Sequence, residues 1–442
     1  MKYDIIIHNG IIVTVNKDFD IIKDGIVFIT DGKIVEVSSK PLTAPLPEAK
    51  EIIDAQGGII IPGLVNTHTH LPMTILRGIG DDLLLSEWLN NYIFPLEAKY
   101  MNPETVRVAS YLGCAEMLLS GTTSCCDGYF FEEEVAQAVL ESGMRAVLGH
   151  GVIDFAAPGV LDPANNIKTA LNFVQKWQNV SSLITPSIFC HSPYTCSEET
   201  LKKAKQIASS HNILFQIHVA ETKDEYDTIM AKHSVSPVKY LEQTGILDEN
   251  TLLVHAVWID ENDIKIISTH NSKVSHNPQS NMKLASGISP VPKILKERIT
   301  VGLGTDGCAS NNDSDMFKEM DTAAKLHKVN VLDPTVMDAE TVVKMATIKG
   351  AEAIGIGNET GSIEKGKQAD IIIIDTNVSH LIPMYHPVSH IVYSATGSDV
   401  RDVVVSGKVV VKNKKLLTLD IEDIMDKINL LASNIKKDPI MI

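Results

Sequence analysis

The chain has 442 residues, of which 44% are hydrophobic and 21% are charged, a composition that is typical of a folded globular protein. This composition excludes a disordered chain, a collagen-like repeat and a small disulfide-linked scaffold. Lys and Arg together number 39 and Asp and Glu number 55, so the net charge is −16. Binding to nucleic acid or to an anionic membrane is therefore not expected, because both need a basic surface.

The six cysteines are sparse and form no CxxC pair, so we expect reduced thiols. The first residues, MKYDIIIHNG, are unlike a signal peptide. No apolar run reaches the ~18 residues that a membrane-spanning helix needs. The sequence therefore predicts a cytoplasmic protein without a membrane segment.

The two ends of the chain share one pattern. Residues 3–61 contain short apolar runs separated by turn signals such as Asn9-Gly10 and Asp31-Gly32. The same pattern returns near the other end in ADIIIID and DVVVSGKVVVKNKKLL. Because neither end has enough apolar residues to fold alone, we predict one small β-sandwich domain built from residues 1–62 and 365–442.

The middle of the chain alternates between short apolar runs and segments of helical composition. Eight apolar runs begin near residues 63, 122, 145, 183, 214, 251, 273 and 300. Alternating strands and helices imply parallel strands, and eight such units can close into a (β/α)₈ barrel. We predict this α/β fold, a TIM-like barrel, over residues 63–364. An open doubly wound sheet is the alternative, although the sequence has neither a dinucleotide fingerprint nor a P-loop.

The segment from Leu71 to Tyr100 is unusually long for the connection after a first barrel strand. Long connections in compact domains are often lids or binding loops. A packed helical insertion would have the same length, and the sequence leaves both interpretations open.

Polar side chains end several of the predicted barrel strands, where the chemistry of such barrels collects. His68 and His70 are two positions apart on a strand, so both point into the mouth of the barrel. His218 ends the fifth run and Asp306 ends the eighth. Three imidazoles and a carboxylate suit a divalent metal ion, with Zn²⁺ the default and Fe²⁺ or Mn²⁺ as alternatives. These four residues are the predicted metal ligands.

Three residues at this end of the barrel are candidate catalytic groups. Asp306 could accept a proton from a water molecule that the metal activates, while His255 could orient that water. Glu221 lies three residues after His218 and could carry a proton to a substrate nitrogen. A carboxylate at this position could instead stabilise the start of the following helix.

The segments PGLVNTHTH, HVAET, LVHAV and GLGTDG occur in this order and together resemble the amidohydrolase superfamily. Binuclear members of that superfamily carry a bridging carboxylated lysine late in the fourth strand, whereas the fourth run here ends in FCHSPYTC. The resemblance therefore implies one metal ion.

Further segments resemble the 5'-methylthioadenosine/S-adenosylhomocysteine deaminase family from end to end: LPMTILRG, EWLNNYIFPLEAKY, CHSPYTCS, SHNPQSNMKLASGISPV and GTDGCASNNDSDMF. This resemblance implies hydrolytic deamination of an adenosine-type nucleoside to the inosine analogue, with release of ammonia. The candidate substrates are 5'-methylthioadenosine, S-adenosylhomocysteine, adenosine and 5'-deoxyadenosine.

The resemblance also implies substrate contacts for individual residues. Glu97, in FPLEAKY, would bind the ribose hydroxyls, since a carboxylate can accept two hydrogen bonds from a vicinal diol. Alternatively, Glu97 is an ordinary charged residue on the surface of a helix. Trp88 would pack near the base or the 5' substituent, or else belong to the core. His191 would contact the ribose or the purine.

The candidate catalytic residues Glu221 and Asp306 are also expected to contact the substrate.

His150 stands where related sequences often have an arginine after the third strand. An arginine could bind the homocysteine carboxylate in a bidentate way, whereas histidine would bind it only when protonated. Arg145 starts the same run, so we expect it at the opposite end of the barrel.

Related hydrolases of a free purine base or an s-triazine share the metal ligands and are the alternative function. Glu97 favours a nucleoside, because a free base has no diol for it to bind. A non-catalytic barrel would be expected to have lost some ligands, and none is missing. The expected partner is thus a small-molecule nucleoside, without nucleic acid or membrane, and the sequence leaves a homo-oligomer open.

Overall fold

The computed structural model describes residues 3–39 and 46–441, which form a barrel in the middle of the chain and a second sheet from both ends. The first strands of the second sheet are β1 (Tyr3–Val13), β2 (Ile21–Thr30), β3 (Lys33–Ser38), β4 (Ala49–Asp54) and β5 (Ile59–Pro62). The barrel strands are β6 (Leu64–Thr69), β7 (Thr122–Tyr129), β8 (Arg145–Val152), β9 (Ile184–Cys190), β10 (Phe215–Val219), β11 (Thr251–His255), β12 (Lys273–His276) and β13 (Val301–Leu303). The second sheet is completed by β14 (Ile371–Ile374), β15 (Val400–Val405), β16 (Lys408–Lys412) and β17 (Lys415–Leu416).

The α-helices lie mainly between and after the barrel strands. They are α1 (Leu85–Trp88), α2 (Phe94–Tyr100), α3 (Pro103–Leu119), α4 (Glu132–Ser142), α5 (Asn166–Trp177), α6 (Glu198–His211), α7 (Lys223–His233), α8 (Pro237–Gln243), α9 (Glu261–Thr269), α10 (Pro278–Lys283), α11 (Val291–Lys296), α12 (Cys308–Asn311), α13 (Met316–Val331), α14 (Ala339–Met345), α15 (Ile348–Ala353), α16 (Pro387–Tyr393) and α17 (Ile421–Ile435). Short 3₁₀ turns occur at Leu71–Leu76, Pro163–Asn165, Ser379–Leu381, Gly397–Asp399 and Pro439–Met441, and a π-helical turn occurs at Leu89–Ile93.

The eight barrel strands are parallel and follow one another in chain order around the sheet. Their first residues lie within one position of the starts predicted from the apolar runs. Hydrogen bonds join the ends of the first and last strands: the Asp306 amide donates to the His68 carbonyl at 2.9 Å. The Asn66 amide group donates to the Thr305 hydroxyl at 2.7 Å. The predicted (β/α)₈ architecture is therefore confirmed.

The second sheet has nine strands, with the order β17-β16-β15-β14-β5-β1-β2-β3 and with β4 paired to β1. Strand β14 runs antiparallel to β5, and this pairing joins the two ends of the chain. Apolar side chains from strands of both ends form one buried cluster. This arrangement agrees with a second domain made from both ends, and the bounds 1–62, 63–364 and 365–442 stay a prediction.

All six cysteines lie within the described residues, and each is a buried free thiol. Across residues 3–39 and 46–441, no helix combines the length and the apolar character needed to cross a membrane.

Arg145 begins β8 at the end of the barrel opposite to the strand-end histidines, as its position in the sequence predicts. Its Nε donates to Asp370 at 2.9 Å, and both side chains are almost completely buried, at 2% and 0% exposure. The guanidinium also donates to the Ser182 carbonyl at 2.7 Å and to the Ser406 hydroxyl at 2.6 Å. Since Asp370 and Ser406 flank strands of the second sheet, this buried ion pair joins the two parts of the protein.

We expect Arg145→Ala to lower the free energy of unfolding by about 3–5 kcal/mol, because it leaves the Asp370 carboxylate buried and unpaired. Urea unfolding followed by fluorescence measures the loss. The matched control is Arg107→Ala, which breaks the partly exposed pair with Glu134 and should cost at most about 1 kcal/mol. Equal losses in the two variants would contradict a structural role for the buried pair.

Candidate active site and metal centre

Four predicted metal ligands converge at the C-terminal mouth of the barrel. The Nε2 atoms of His68 and His218 are 3.1 Å apart. Asp306 Oδ1 lies 3.5 Å from His68 Nε2 and 3.4 Å from His70 Nε2. The ligand atoms of His68, His70 and Asp306 all lie within 4.8 Å of one another. His218 forms a second group of this kind with His68 and His255, so the four predicted ligands belong to two groups that share His68.

The donor atoms have the chemistry that a divalent metal requires. His70 Nδ1 hydrogen-bonds the Gly128 carbonyl at 2.6 Å, so the lone pair of its Nε2 faces the cluster. Burial lowers the pKa of His70 to about 4, which keeps the imidazole neutral at neutral pH, as a ligand must be. The nitrogens of His68 and His218 point at each other beside a carboxylate, an arrangement that a shared cation stabilises. The cluster thus fits a metal ion.

The Asp306 carboxylate is fixed by short hydrogen bonds. The Ser280 hydroxyl donates to Oδ2 at 2.7 Å, and the Gly307 amide donates to Oδ1 at 2.7 Å. The following loop is held by Asn311, whose side chain donates to the Thr305 carbonyl at 2.8 Å. The carboxylate is therefore held in a fixed orientation toward the imidazoles.

His255 lies beside the predicted metal ligands, but the hydrogen bonds of its imidazole ring differ from theirs. Its Nδ1 accepts from the side-chain amides of Asn281 and Asn277, at 3.0 and 3.2 Å. The proton of the neutral ring is therefore on Nε2. This Nε2 is 3.7 Å from a Glu221 carboxylate oxygen. His255 thus presents an N–H donor at the site, whereas the ligands present lone pairs.

Glu221 follows β10 and points toward the cluster instead of capping the next helix, because Thr222 is the capping residue of α7. The Ser286 hydroxyl is 3.5 Å from its carboxylate. Burial, together with the nearby Asp306 carboxylate, raises the pKa of Glu221 to about 8. Glu221 is therefore positioned as a proton-carrying group beside the metal ligands.

The Glu225 side chain fixes the backbone at Glu221, a role that the sequence did not predict. Its carboxylate accepts from the amides of Ala220 and Glu221 at 2.9 and 2.8 Å. The pattern Thr222-x-x-Glu225 is that of a capping box, which draws attention to this carboxylate. In the structure, the Glu225 carboxylate reaches beyond Thr222 and accepts hydrogen bonds from the backbone amides of Ala220 and Glu221.

A cavity leads from the predicted metal ligands to solvent. The insertion after the first barrel strand is packed and helical, and its inner face lines this cavity with Trp88, Phe94 and Glu97. The Trp88 indole donates to the Ile79 carbonyl at 2.9 Å, so its ring offers only apolar surface to the cavity. The insertion is thus a wall of the site.

Glu97 is 4% exposed and accepts a hydrogen bond from the Tyr129 hydroxyl. Burial raises the pKa of the Glu97 carboxyl to about 7. A charge that merely solubilised the helix surface would be exposed, so the burial argues for a binding role. Tyr129 ends a barrel strand, and the strand-end rule used for the histidines could have identified it as well.

His191 lines the cavity, and its ring centre is 5.3 Å from that of His218. Its Nδ1 is 2.9 Å from the Thr195 hydroxyl.

His150 does not reach the cavity. A Cβ added to Gly149 would meet Ser187 and Gln216 inside the barrel. Because strand side chains alternate, the next residue, His150, points to the outer face of β8. The structure therefore does not bring His150 together with the other predicted site residues.

The chain is similar to several known proteins. The model of the amidohydrolase family matches residues 59–410. The 5-methylthioadenosine/S-adenosylhomocysteine deaminase of Syntrophobacter fumaroxidans is 42% identical over 435 residues, which cover 98% of this chain and 99% of that protein. The 5'-deoxyadenosine deaminase of Methanosphaera stadtmanae is 44% identical over 405 residues, covering 91% and 93%.

A solved structure of an adenosine deaminase from Xanthomonas campestris with bound zinc superposes with a TM-score of 0.95. It is 33% identical and the match covers 99% of each chain. The predicted family resemblance and the predicted class, a metal-dependent hydrolase, are confirmed by these matches. The chain belongs to the amidohydrolase family.

Proposed function

We propose that this protein is a hydrolytic deaminase that converts an adenosine-type nucleoside and water to the inosine analogue and ammonia. The observation that carries the proposal is one cavity that holds both a metal-ligand cluster with Glu221 beside it and the buried carboxylate of Glu97. The candidate substrates are 5'-methylthioadenosine, S-adenosylhomocysteine, adenosine and 5'-deoxyadenosine. Relatives with 42–44% identity carry nucleoside deaminase names, which supports this substrate class.

The metal ion would be held by His68, His70, His218 and Asp306. A divalent ion supplies the positive charge that makes a water molecule acidic enough to attack a ring carbon at neutral pH. Zn²⁺ suits three imidazoles and one carboxylate, while Fe²⁺ or Mn²⁺ are alternatives. One ion is proposed, since the fourth barrel strand ends without a lysine.

The protein's own groups divide the proton transfers between them. The Nε2–H of His255 orients the attacking water, and Asp306 accepts the proton that this water loses. Glu221 donates a proton to purine N1, next to the attacked C6. Asp306 then passes the proton that it took from water to the departing amino group, which leaves as ammonia, and the new C6 hydroxyl returns a proton to Glu221 as it becomes the carbonyl. The assignment is supported by the 3.7 Å distance between His255 Nε2 and a Glu221 carboxylate oxygen, and by Asp306 lining the same cavity.

Substrate binding is assigned to residues that line the same cavity as the proposed metal ligands. Glu97 accepts hydrogen bonds from the two ribose hydroxyls, and Trp88 and His191 pack against the nucleoside. Glu221 and Asp306 touch the purine at its reacting edge. A contact from His150 is no longer proposed, because its side chain is outside the cavity.

Glu97→Ala is expected to raise the KM for a nucleoside by about 10- to 100-fold, because hydrogen bonds to the charged carboxylate are lost. The metal content should not change. Steady-state kinetics and metal analysis of the purified variant measure both quantities. Glu87→Ala removes an exposed carboxylate from the same insertion and should leave KM unchanged. A normal KM in Glu97→Ala would remove this residue from the substrate site.

The proposed function is tested by measuring ammonia release with nucleosides and with the free bases adenine and guanine. We expect turnover of nucleosides and little or no turnover of free bases. Turnover of free bases alone would support the alternative, a base or s-triazine hydrolase, and would overturn the proposal. The absence of a nucleic-acid partner, the cytoplasmic location and a homo-oligomeric state stay predictions.

A further inference from the structure

A buried tyrosine contacts the carboxylate that is proposed to bind the ribose. Tyr129, the last residue of β7, donates its hydroxyl hydrogen to Oε1 of Glu97 on α2. Both side chains line the cavity, and each residue is only 4% exposed. Across residues 3–39 and 46–441, no other side chain donates a hydrogen bond to this carboxylate or forms an ion pair with it. The hydroxyl of Tyr129 is therefore its one polar contact with the described chain.

This hydrogen bond fixes the plane of the Glu97 carboxylate. The last side-chain torsion of a glutamate has broad minima, so an unanchored carboxylate turns easily about it. A vicinal diol is bound best when one carboxylate oxygen faces each hydroxyl, which requires a fixed plane. A carboxylate has about four acceptor positions, and the Tyr129 hydroxyl occupies one of them on Oε1. Enough positions remain for the two ribose hydroxyls.

The same hydrogen bond favours the charged form of Glu97. Burial raises the pKa of this carboxyl to about 7, and the hydrogen bond from Tyr129 opposes the rise. Burial also raises the pKa of the Tyr129 phenol well above its usual value, so the phenol keeps the proton that it shares. A charged acceptor forms stronger hydrogen bonds with hydroxyl groups than a neutral acceptor does. Orientation and charge thus both favour binding of a diol.

We propose that Tyr129 is a positioning residue for the ribose, whose hydroxyl orients the Glu97 carboxylate to accept the 2' and 3' hydroxyls of the nucleoside. Tyr129 contacts no reacting atom in this scheme and acts through Glu97. The inference rests on the proposed function, in which Glu97 binds the ribose diol. If the tyrosine only filled space at the mouth of the barrel, loss of its hydroxyl would affect nucleosides with and without a complete diol alike.

The test compares adenosine with 2'-deoxyadenosine and 3'-deoxyadenosine, each of which lacks one hydroxyl of the diol. Steady-state kinetics of the metal-loaded full-length enzyme give kcat and KM for each compound. In the wild type, kcat/KM for adenosine should exceed the value for each deoxynucleoside by about tenfold or more, because a hydrogen bond to a charged group is lost. In Tyr129→Phe, this ratio should fall by about fivefold or more. The fall should come from a higher KM for adenosine, with kcat within about threefold of the wild-type value.

Two controls show whether the effect passes through Glu97. Tyr111→Phe makes the same substitution at a tyrosine that donates to another glutamate, Glu141, and does not line the cavity. It should leave the ratio unchanged. In a Glu97→Ala background, Tyr129→Phe should change kcat/KM by no more than about twofold, because the group through which it acts is absent.

The possible outcomes separate this inference from the proposed function. An unchanged ratio in Tyr129→Phe, or an equal effect with and without Glu97, would overturn the positioning role. Loss of metal from Tyr129→Phe would also overturn it, since the residue would then support the metal ligands. Equal kcat/KM values for the three nucleosides in the wild type would overturn the diol contact and this inference, but not the deaminase activity. No turnover of any of the three would overturn the proposed function itself.

Discussion

Glu221→Gln is expected to lower kcat for a nucleoside by about 10²- to 10⁴-fold, the usual contribution of a general acid or base. The amide has nearly the shape of the carboxylic acid but cannot carry the proton to purine N1. Glu221 is not a predicted metal ligand, so the metal content should stay at the wild-type level. Steady-state kinetics and metal analysis on the same preparation measure the two effects.

The matched control for this variant is Asp224→Asn, which changes an exposed acidic side chain three residues along the chain. This variant removes one negative charge from the start of α7. It should leave kcat within about twofold of the wild-type value, since exposed charges contribute little. Wild-type kcat in Glu221→Gln would remove Glu221 from the proposed mechanism. A loss of metal together with kcat would show instead that Glu221 acts through the metal site.

Asp306→Asn is expected to have the largest effect, a loss of kcat of about 10⁴-fold or more, because it removes a general base and a metal ligand together. The fold should be preserved, since the amide has the same size: its oxygen can accept from the Gly307 amide, and its NH2 group can donate to the Ser280 hydroxyl. Circular dichroism checks the fold, and metal analysis and kinetics check the site. Metal content should fall, unlike in Glu221→Gln.

Asp321→Asn serves as the control, because Asp321 lies on α13 and pairs with Lys325 on the same helix, away from the cavity. It should keep both the metal and the activity. Full activity in Asp306→Asn would contradict both of the roles proposed for this carboxylate.

The barrel and the cluster of side chains at its mouth could be predicted from the sequence because both follow local rules. The apolar runs mark the buried parallel strands, and the strand ends mark the functional edge. The two-residue spacing of His68 and His70 places them on one face of β6. These rules need no knowledge of which distant segments come into contact.

His150 shows where the local rules stop. Every residue of β8 is buried, so the apolar pattern does not tell which side chains face the barrel interior. The orientation is set by strands β9 and β10, where Ser187 and Gln216 occupy the space next to Gly149. Sequence position alone therefore could not exclude this histidine from the cavity.

Glu225 and the order of the second sheet could not be predicted for a related reason. The carboxylate of Glu225 bonds two amides whose direction is fixed only when the turn after β10 has formed. The pairing of β5 with β14 joins segments that are about 300 residues apart, and local patterns carry no such information. The sequence indicated only that the two ends belong together.

A metal titration of the metal-free enzyme, with 5'-deoxyadenosine as substrate, tests whether one metal ion drives the deamination of a nucleoside. Conversion of the adenine ring to the hypoxanthine ring is followed by its change in ultraviolet absorbance. We predict that activity rises in proportion to bound Zn²⁺ and reaches its plateau at one ion per chain. The amount of ammonia released should equal the amount of nucleoside converted. Activity without metal, or a metal-loaded enzyme that does not turn over the nucleoside, would contradict it.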